Sequence, residues 1–75
     1  MLTAAPSILW RLVGPTGHVS ECQMWQLPSG HFQIRLVHDR EPEATERYNT
    51  SNDAIARASA IANRFVERGW RDAAM

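Results

Sequence analysis

The sequence predicts a small α+β domain, in which an antiparallel meander of three or four strands carries one C-terminal helix on one of its faces. Three observations predict this fold: two similar turn segments, apolar residues whose positions agree from strand to strand, and an amphipathic stretch between two helix-cap signals. The chain has 75 residues, a length that accommodates one small core and one domain. Hydrophobic residues make up 44% and charged residues 21% of the chain, which is typical of a globular protein.

Two turn segments, Pro-Thr-Gly-His at residues 15–18 and Pro-Ser-Gly-His at residues 28–31, punctuate the first half of the chain. Each fits a type I turn with proline at its second position, followed by glycine in the left-handed conformation. Such loops of three residues join antiparallel strands. We therefore predict strands over Ser7–Val13, residues 19–27 and Phe32–His38.

The pairing of these strands follows from the two turns, because the residues that flank a three-residue loop face each other. Side chains alternate with period two along a strand, so a slip of one residue would mix the apolar and polar sets. On one face the predicted pairs are Trp10 with Cys22, Ile8 with Met24, Leu12 with Ser20, Met24 with Ile34 and Cys22 with Leu36. Arg11 is predicted opposite Glu21 on the other face.

A fourth strand is predicted at the sheet edge, after a charged loop over residues 39–43. This loop contains Pro42, which cannot donate a hydrogen bond to a strand ladder. The edge strand is expected over residues 44–49, with Tyr48 pointing towards the core.

The predicted helix begins after Thr50, which fits an N-cap with Asp53 three residues later. It ends at Gly69, and Trp70 is expected to pack on Phe65 in a Schellman ending. At 100° per residue, an arc of roughly 140° holds the apolar set, which comprises Ala54, Ile55, Ala58, Ile61, Ala62, Phe65 and Val66. The domain is predicted over residues 7–71, between a flexible N-terminal arm (1–6) and a flexible C-terminus (72–75).

The cysteine count and the N-terminal composition bear on the cellular compartment. Cys22 is the single cysteine, which excludes an internal disulfide and favours a reducing cytoplasm. No basic region of a signal peptide is present at the N-terminus, and Arg11 interrupts the apolar stretch that follows, so neither secretion nor a membrane span is predicted. All eight basic residues are arginine, which is typical of a GC-rich bacterial genome.

The sheet face that the helix leaves uncovered is the first candidate site. Apolar residues interspersed with polar ones on such a face indicate an association surface, and we predict that the protein acts by binding a protein, as a homodimer or with a heterologous partner. The contact is expected through this face or through an edge strand. The predicted partner-binding residues are Leu9, Arg11, Val19, Gln23, Trp25, Arg35 and Val37. The alternatives are an exposed face without a partner, a face over which the N-terminal arm folds, and a face that stacks nucleic-acid bases on Trp25 beside Arg35.

A row of arginines on the helix is the second candidate site. Within an arc of roughly 60° the wheel places Arg57, Arg64, Arg68 and Arg71. Guanidinium groups at this spacing suit a phosphate backbone, so a nucleic-acid-binding module is the alternative function. A solvated polar face is favoured, because the net charge is zero and acidic residues precede Arg57 and Arg71 by four positions.

Two histidines and the cysteine form a third cluster. The predicted register places His18 and Cys22 diagonally from His38, about 7 to 8 Å away between Cα atoms. Imidazole and thiolate are transition-metal ligands, but Cys22 is expected to be buried under Trp10, and a fourth ligand is missing. We therefore predict no metal and no cofactor.

No enzymatic activity is predicted. A buried thiol keeps a high pKa, which argues against a Cys-His nucleophile. The sequence also offers no glycine-rich phosphate loop, no paired-carboxylate site and no Ser-His-Asp arrangement.

Three strands, a charged loop, Thr50-x-x-Asp53-Ala54 and an alanine-spaced helix resemble, over residues 7–70, small bacterial βββα modules such as the HicB-type antitoxins. More loosely, this order is similar to the βββα portion of double-stranded RNA-binding domains, although their first helix and the lysine-rich start of their last helix are missing. The resemblance implies the topology and a tendency to bind protein or nucleic acid. It assigns no site residue.

Overall fold

A computed structural model describes residues 5–73 of the protein and confirms the α+β fold. Its elements, in chain order, are β1 (Ser7–Val13), β2 (Val19–Gln26), β3 (Phe32–His38), β4 (Glu41–Tyr48), α1 (Ser51–Glu67) and β5 (Arg71–Asp72). The strands form one antiparallel sheet in the order β4-β3-β2-β1-β5. The first four strands are thus a meander, and α1 packs on one of its faces.

Both predicted three-residue loops are present. Gly17 and Gly30 have φ angles of 92° and 89°, which glycine adopts without a steric cost. Each loop is closed by a backbone hydrogen bond, from the Gly14 N–H to the His18 carbonyl at 2.7 Å and from the Leu27 N–H to the His31 carbonyl at 2.8 Å. These loops set the register of β1, β2 and β3.

The predicted register is confirmed from β2 to β3 and over most of β1. Trp10 faces Cys22 and Leu12 faces Ser20, while Met24 with Ile34 and Cys22 with Leu36 are paired as expected.

A bulge changes the first residues of β1. Ile8 lies opposite Gln23, and Ser7 lies opposite Met24, so the predicted pairing of Ile8 with Met24 is wrong. The irregularity falls at Leu9, where one extra residue enters the strand and reverses the alternation beyond it. Leu9 packs against the core, whereas Ile8 is 44% exposed.

The fourth strand exists, but it begins at Glu41 rather than at residue 44. The five-residue loop predicted over 39–43 is wrong, because Asp39 and Arg40 alone make the turn, with φ angles of 49° and 71°. Two successive residues with positive φ are typical of a type I′ hairpin turn. Pro42 is tolerated in β4, since an edge strand leaves some backbone groups unpaired. Tyr48 packs against the core as predicted.

Both helix caps are confirmed. The Thr50 hydroxyl accepts a hydrogen bond from the Asp53 N–H at 3.1 Å. At the other end the Trp70 N–H donates to the Phe65 carbonyl at 3.1 Å, and the Gly69 N–H donates to the Val66 carbonyl at 3.0 Å. The Phe65 and Trp70 rings meet edge to face, with centroids 4.8 Å apart. This is the Schellman ending with its apolar contact.

The core lies between α1 and the sheet. Ala54 and Ala58 are fully buried in one cluster with Cys22 and Ile34, and these small side chains let the helix approach the strands closely. The Trp10 indole N–H donates to the Ala58 carbonyl at 2.8 Å, which ties β1 to the helix.

Two residues of the predicted apolar stripe, Ile55 and Val66, are exposed by 43% and 53%. Both lie at the same margin of the arc, beyond the line along which α1 meets the sheet. The apolar arc of the helix is thus wider than the contact that it makes.

The sheet has one strand that the sequence did not predict. In β5, Asp72 lies opposite Leu12 and Arg71 opposite Val13, and the Ala73 N–H donates to the Arg11 carbonyl at 3.0 Å. Residues 1–4 of the predicted N-terminal arm and residues 74–75 of the predicted C-terminus lie outside the described residues. Within residues 5–73, no helix is long and apolar enough to cross a membrane.

Candidate functional site

The side of the sheet opposite α1 is the principal candidate surface, and within residues 5–73 no helix covers it. Strand alternation brings every second side chain of β1, β2 and β3 to this side, and these include Ile8, Val13, Val19 and Val37. We call this side the open face; its polar and aromatic residues on these strands are Arg11, Glu21, Gln23, Trp25, Gln33 and Arg35.

One part of the open face is a polar network around Glu21. The Arg11 Nε lies 3.1 Å from Glu21 Oε1, and the Gln23 side-chain amide donates to Glu21 Oε2 at 2.8 Å. Both carboxylate oxygens are therefore engaged by neighbours on the same face. This arrangement holds a paired positive and negative charge side by side on β1 and β2.

The other part of the open face is aromatic. The Arg35 guanidinium carbon lies 4.8 Å from the centroid of the Trp25 ring, a cation–π distance. Both residues are half-buried. Trp25 is thus a partly exposed indole on β2, a strand in the interior of the sheet.

Two of the predicted partner-binding residues are not available on this face. Leu9 is turned into the core by the bulge, and Val37 is 9% exposed because it lies between Glu21 of β2 and Pro42 of β4. Val19 lines a shallow depression with Val13 and Arg71. Arg11, Gln23, Trp25 and Arg35 are brought together as predicted.

The predicted row of four arginines is reduced to three. Arg57, Arg64 and Arg68 line a cleft of about 270 Å³ between α1 and the strands β3 and β4. Arg71 belongs to β5, because the chain reverses at Gly69 and leaves the helix axis. The prediction that Arg71 continues the row is wrong.

The floor of this cleft is apolar, formed by Leu36, Ile61 and Phe65 among others, and Glu46 lies at its margin. The Arg57 Nε is 3.2 Å from Glu46 Oε1, so Arg57 pairs with β4 and not with Asp53, as the helical spacing suggested. Guanidinium groups above an apolar floor match the chemistry of a carboxylate or phosphate attached to an apolar body.

Glu46 is the one acidic side chain among the residues within 5–73 that line the cleft. The Tyr48 hydroxyl donates a hydrogen bond to this carboxylate, and with the nearby Arg57 it holds the pKa of Glu46 below its ordinary value, although partial burial acts the other way. Glu46 in turn raises the pKa of Tyr48. At neutral pH the carboxylate is ionised and offsets one of the cleft's positive charges.

The third cluster is only partly as predicted. The rings of His18 and His38 are stacked, with centroids 5.6 Å apart, but Cys22 is 1% exposed and belongs to the core. Burial, and after it the negative charge of Glu46, raises the pKa of this thiol to about 11. The third polar group beside the histidines is Asp39, which the sequence analysis had placed in a loop. Because Asp39 directly follows His38 in the sequence, its proximity to this cluster could have been inferred from that position.

The three surfaces lie in separate parts of the molecule: the open face, the arginine cleft on the helix side, and the histidine cluster where β2 begins and β3 ends. No protein-family model, curated protein or solved structure matches this chain.

Proposed function

We propose that the protein acts without catalysis, by associating with a second copy of itself through the open face. One observation carries this proposal: Trp25, beneath the Arg35 guanidinium, lies on a sheet face that no helix covers within residues 5–73.

Tryptophan and arginine are the side chains most enriched at the energetic centres of protein interfaces. The cation–π contact holds both side chains in place before binding, which lowers the conformational entropy that association costs. The polar network around Glu21 lies beside them, so the face combines an aromatic centre with a hydrogen-bonded border. This is the composition expected of a protein interface.

The occupant is a second copy because the open face is electrostatically self-complementary. It carries Arg11 and Arg35 with Glu21 between their strands, so a two-fold axis can place an arginine of one protomer opposite the glutamate of the other.

The sheet edges are less suited to association. β4 is one edge, and it carries Glu41, Pro42 and Glu43, which discourage pairing with another strand. β1 is paired with β5 over Leu12 and Val13, and its remaining residues include the bulge. The face therefore offers more continuous contact than either edge.

Sedimentation equilibrium over a range of concentrations tests this proposal. One chain has a mass of 8.5 kDa, and we expect twice that mass for the parent protein. Trp25→Ala should raise the dissociation constant of the dimer at least tenfold, the loss typical of an interface centre. Arg64→Ala is the matched control on the helix side and should leave the mass unchanged. A monomer at millimolar concentration contradicts the proposal.

The same samples distinguish the nucleic-acid alternative. Labelled protein is titrated with short single- and double-stranded nucleic acid at low and moderate salt. Shifts at Arg57, Arg64 and Arg68 that fade with rising salt would favour phosphate binding by the arginine cleft, since such contacts release counterions. If the protein is a monomer and shows these shifts, nucleic-acid binding replaces self-association as the proposed function.

A further inference from the structure

Three metal-binding side chains converge where β2 begins and β3 ends. Each of His18, His38 and Asp39 offers one ligand atom, and all three atoms lie within 4.8 Å of one another. His38 and Ser20 face each other across the two strands, while Asp39 is the first residue of the turn into β4. This cluster is separate from the open face and from the arginine cleft.

The distances in the cluster suit a shared ion. His18 Nδ1 is 2.6 Å and His38 Nε2 is 3.6 Å from the same oxygen, Asp39 Oδ2. In tetrahedral coordination, Zn–N bonds of about 2.0 to 2.1 Å separate neighbouring ligand atoms by about 3.3 Å, which lies between these two values. The His18 ring stacks on the His38 ring, but its side chain is 56% exposed and can rotate to complete the geometry.

Two of the three groups are held in place by hydrogen bonds through atoms other than the proposed ligand atoms. Asp39 Oδ2 itself is hydrogen-bonded to His18 Nδ1, and an ion would take the place of that contact. Asp39 Oδ1 accepts from the Val19 N–H at 2.9 Å, and the Asp39 N–H donates to the Val19 carbonyl at 2.7 Å. His38 Nδ1 is 2.7 Å from the hydroxyl of Ser20, which is fully buried. An Nδ1–H that donates to this hydroxyl leaves the Nε2 lone pair directed at the Asp39 carboxylate.

We propose that His18 Nδ1, His38 Nε2 and Asp39 Oδ2 bind a divalent transition-metal ion of the zinc class. Two imidazoles and one carboxylate are ligands that this class prefers. A metal-bound histidine commonly donates its second ring N–H to a fixed acceptor, and Ser20 provides that acceptor for His38. Three protein ligands leave at least one coordination position for water or for a group from another molecule.

This proposal does not depend on the proposed dimer. Ser20 and His38 point to the helix side of the sheet, and the Trp70 ring lies 6.0 Å from the His38 ring. Trp25 lies near the other end of β2, on the open face. A metal ion at the cluster is therefore close to one indole and distant from the other.

Calorimetric titration of the full chain with Zn²⁺, and absorption and NMR spectra with Co²⁺, test the proposal. We expect one ion per chain, and a Co²⁺ spectrum in which the Trp70 indole signal broadens while that of Trp25 stays sharp. His18→Ala and Asp39→Asn should each weaken binding at least tenfold. Asparagine tolerates the positive φ of position 39, so the second variant keeps the turn.

His31→Ala is the matched control, because His31 follows the other turn and its ring lies beside Ser29. This variant should bind Zn²⁺ as the parent does. Unchanged affinity in both cluster variants, loss of binding in His31→Ala, or no binding at millimolar Zn²⁺ would each overturn the proposal. Circular dichroism of every variant shows whether the fold is retained, and the Co²⁺ broadening pattern in the parent chain decides the question without any substitution.

Discussion

Cys22 shows how burial controls the chemistry of a single side chain. The residue is 1% exposed, and burial together with the charge of Glu46 raises the pKa of its thiol to about 11. Because the thiolate is the reactive form, we predict that a disulfide reagent labels Cys22 at neutral pH only as fast as the protein unfolds. Labelling kinetics with and without urea measure this, and rapid labelling of the folded protein would contradict the packing of the core.

Glu46 provides a pH-dependent contribution to stability. Its pKa is lowered in the folded protein by the Tyr48 hydroxyl and by Arg57. A carboxyl group of this kind stabilises the fold above its unfolded-state pKa, and the contribution is lost as the pH falls through the lower, folded-state pKa. We therefore expect Glu46→Gln to flatten the acid limb of the stability curve, measured by urea unfolding between about pH 2 and 5.

A second variant tests the cause of the Glu46 shift. Tyr48→Phe removes the hydrogen bond that contributes most to it, and NMR titration should then show the pKa of Glu46 moving upwards. An unchanged titration curve would assign the shift to Arg57 alone.

Hairpins were predictable wherever the turn residues determine the loop. Gly17 and Gly30 are the third residues of the first two loops, and these loops fix which residues of the flanking strands pair. The alternation of Cys22, Met24 and their partners agrees with that pairing. The bulge was not predictable, since Ile8, Leu9 and Trp10 are all apolar and show no alternation to be broken.

The later strands carried weaker signals. β4 is rich in charged residues and lies at an edge, so burial imposes little pattern on it. β5 has two residues, and its pairing with β1 depends on the direction that the chain takes after the end of α1. The two-residue turn at Asp39 and Arg40 was not predicted, because Asp-Arg is not a typical type I′ sequence. Without this turn, the orientation of the Asp39 side chain towards the two histidines could not be predicted either.

The Asp39-Arg40 turn yields a prediction about the hairpin of β3 and β4. Arg40 has a φ angle of 71°, a conformation that costs a residue with a Cβ roughly 1 to 2 kcal/mol. Arg40→Gly creates the preferred Asp-Gly turn, and we expect it to raise the free energy of unfolding by about 0.5 to 1 kcal/mol, after the greater entropy of glycine in the unfolded chain is deducted. Denaturant unfolding measures the change.

The control for this substitution is Arg47→Gly on β4. Arg47 lies in a regular part of the strand, where glycine weakens pairing, so this variant should lose stability. Equal effects of the two substitutions would show that the turn stores no strain.

At the scale of the whole molecule, the two sides of the sheet differ in what covers them. The helix side holds the core cluster, the arginine cleft and the histidine cluster, whereas on the open face Trp25 and Arg35 remain partly exposed. A domain of this size has only about 4 to 11 kcal/mol of stability. Residues that join several elements on the helix side therefore matter more for folding than equally large residues on the open face.

Trp70 and Trp25 provide the comparison between the two sides. The Trp70 ring contacts Phe65 at the end of α1 and lies near His38 of β3. It also covers Gly14 so closely that a Cβ there would be 2.8 Å from the ring. One side chain thus joins the helix ending to the first loop and to the third strand.

We expect Trp70→Ala to lower the free energy of unfolding by about 3 kcal/mol, as large-to-small substitutions of aromatic residues do. Trp25→Ala should cost less than about 1 kcal/mol in the monomer, because its ring lies outside the core, and should instead weaken the dimer at least tenfold in sedimentation. Urea unfolding at a protein concentration too low for association measures the stability of the monomer separately from the effect on the dimer. If Trp25→Ala proved the more destabilising variant under those conditions, the open face would be part of the folding core of each protomer, and association through it would lose its main support.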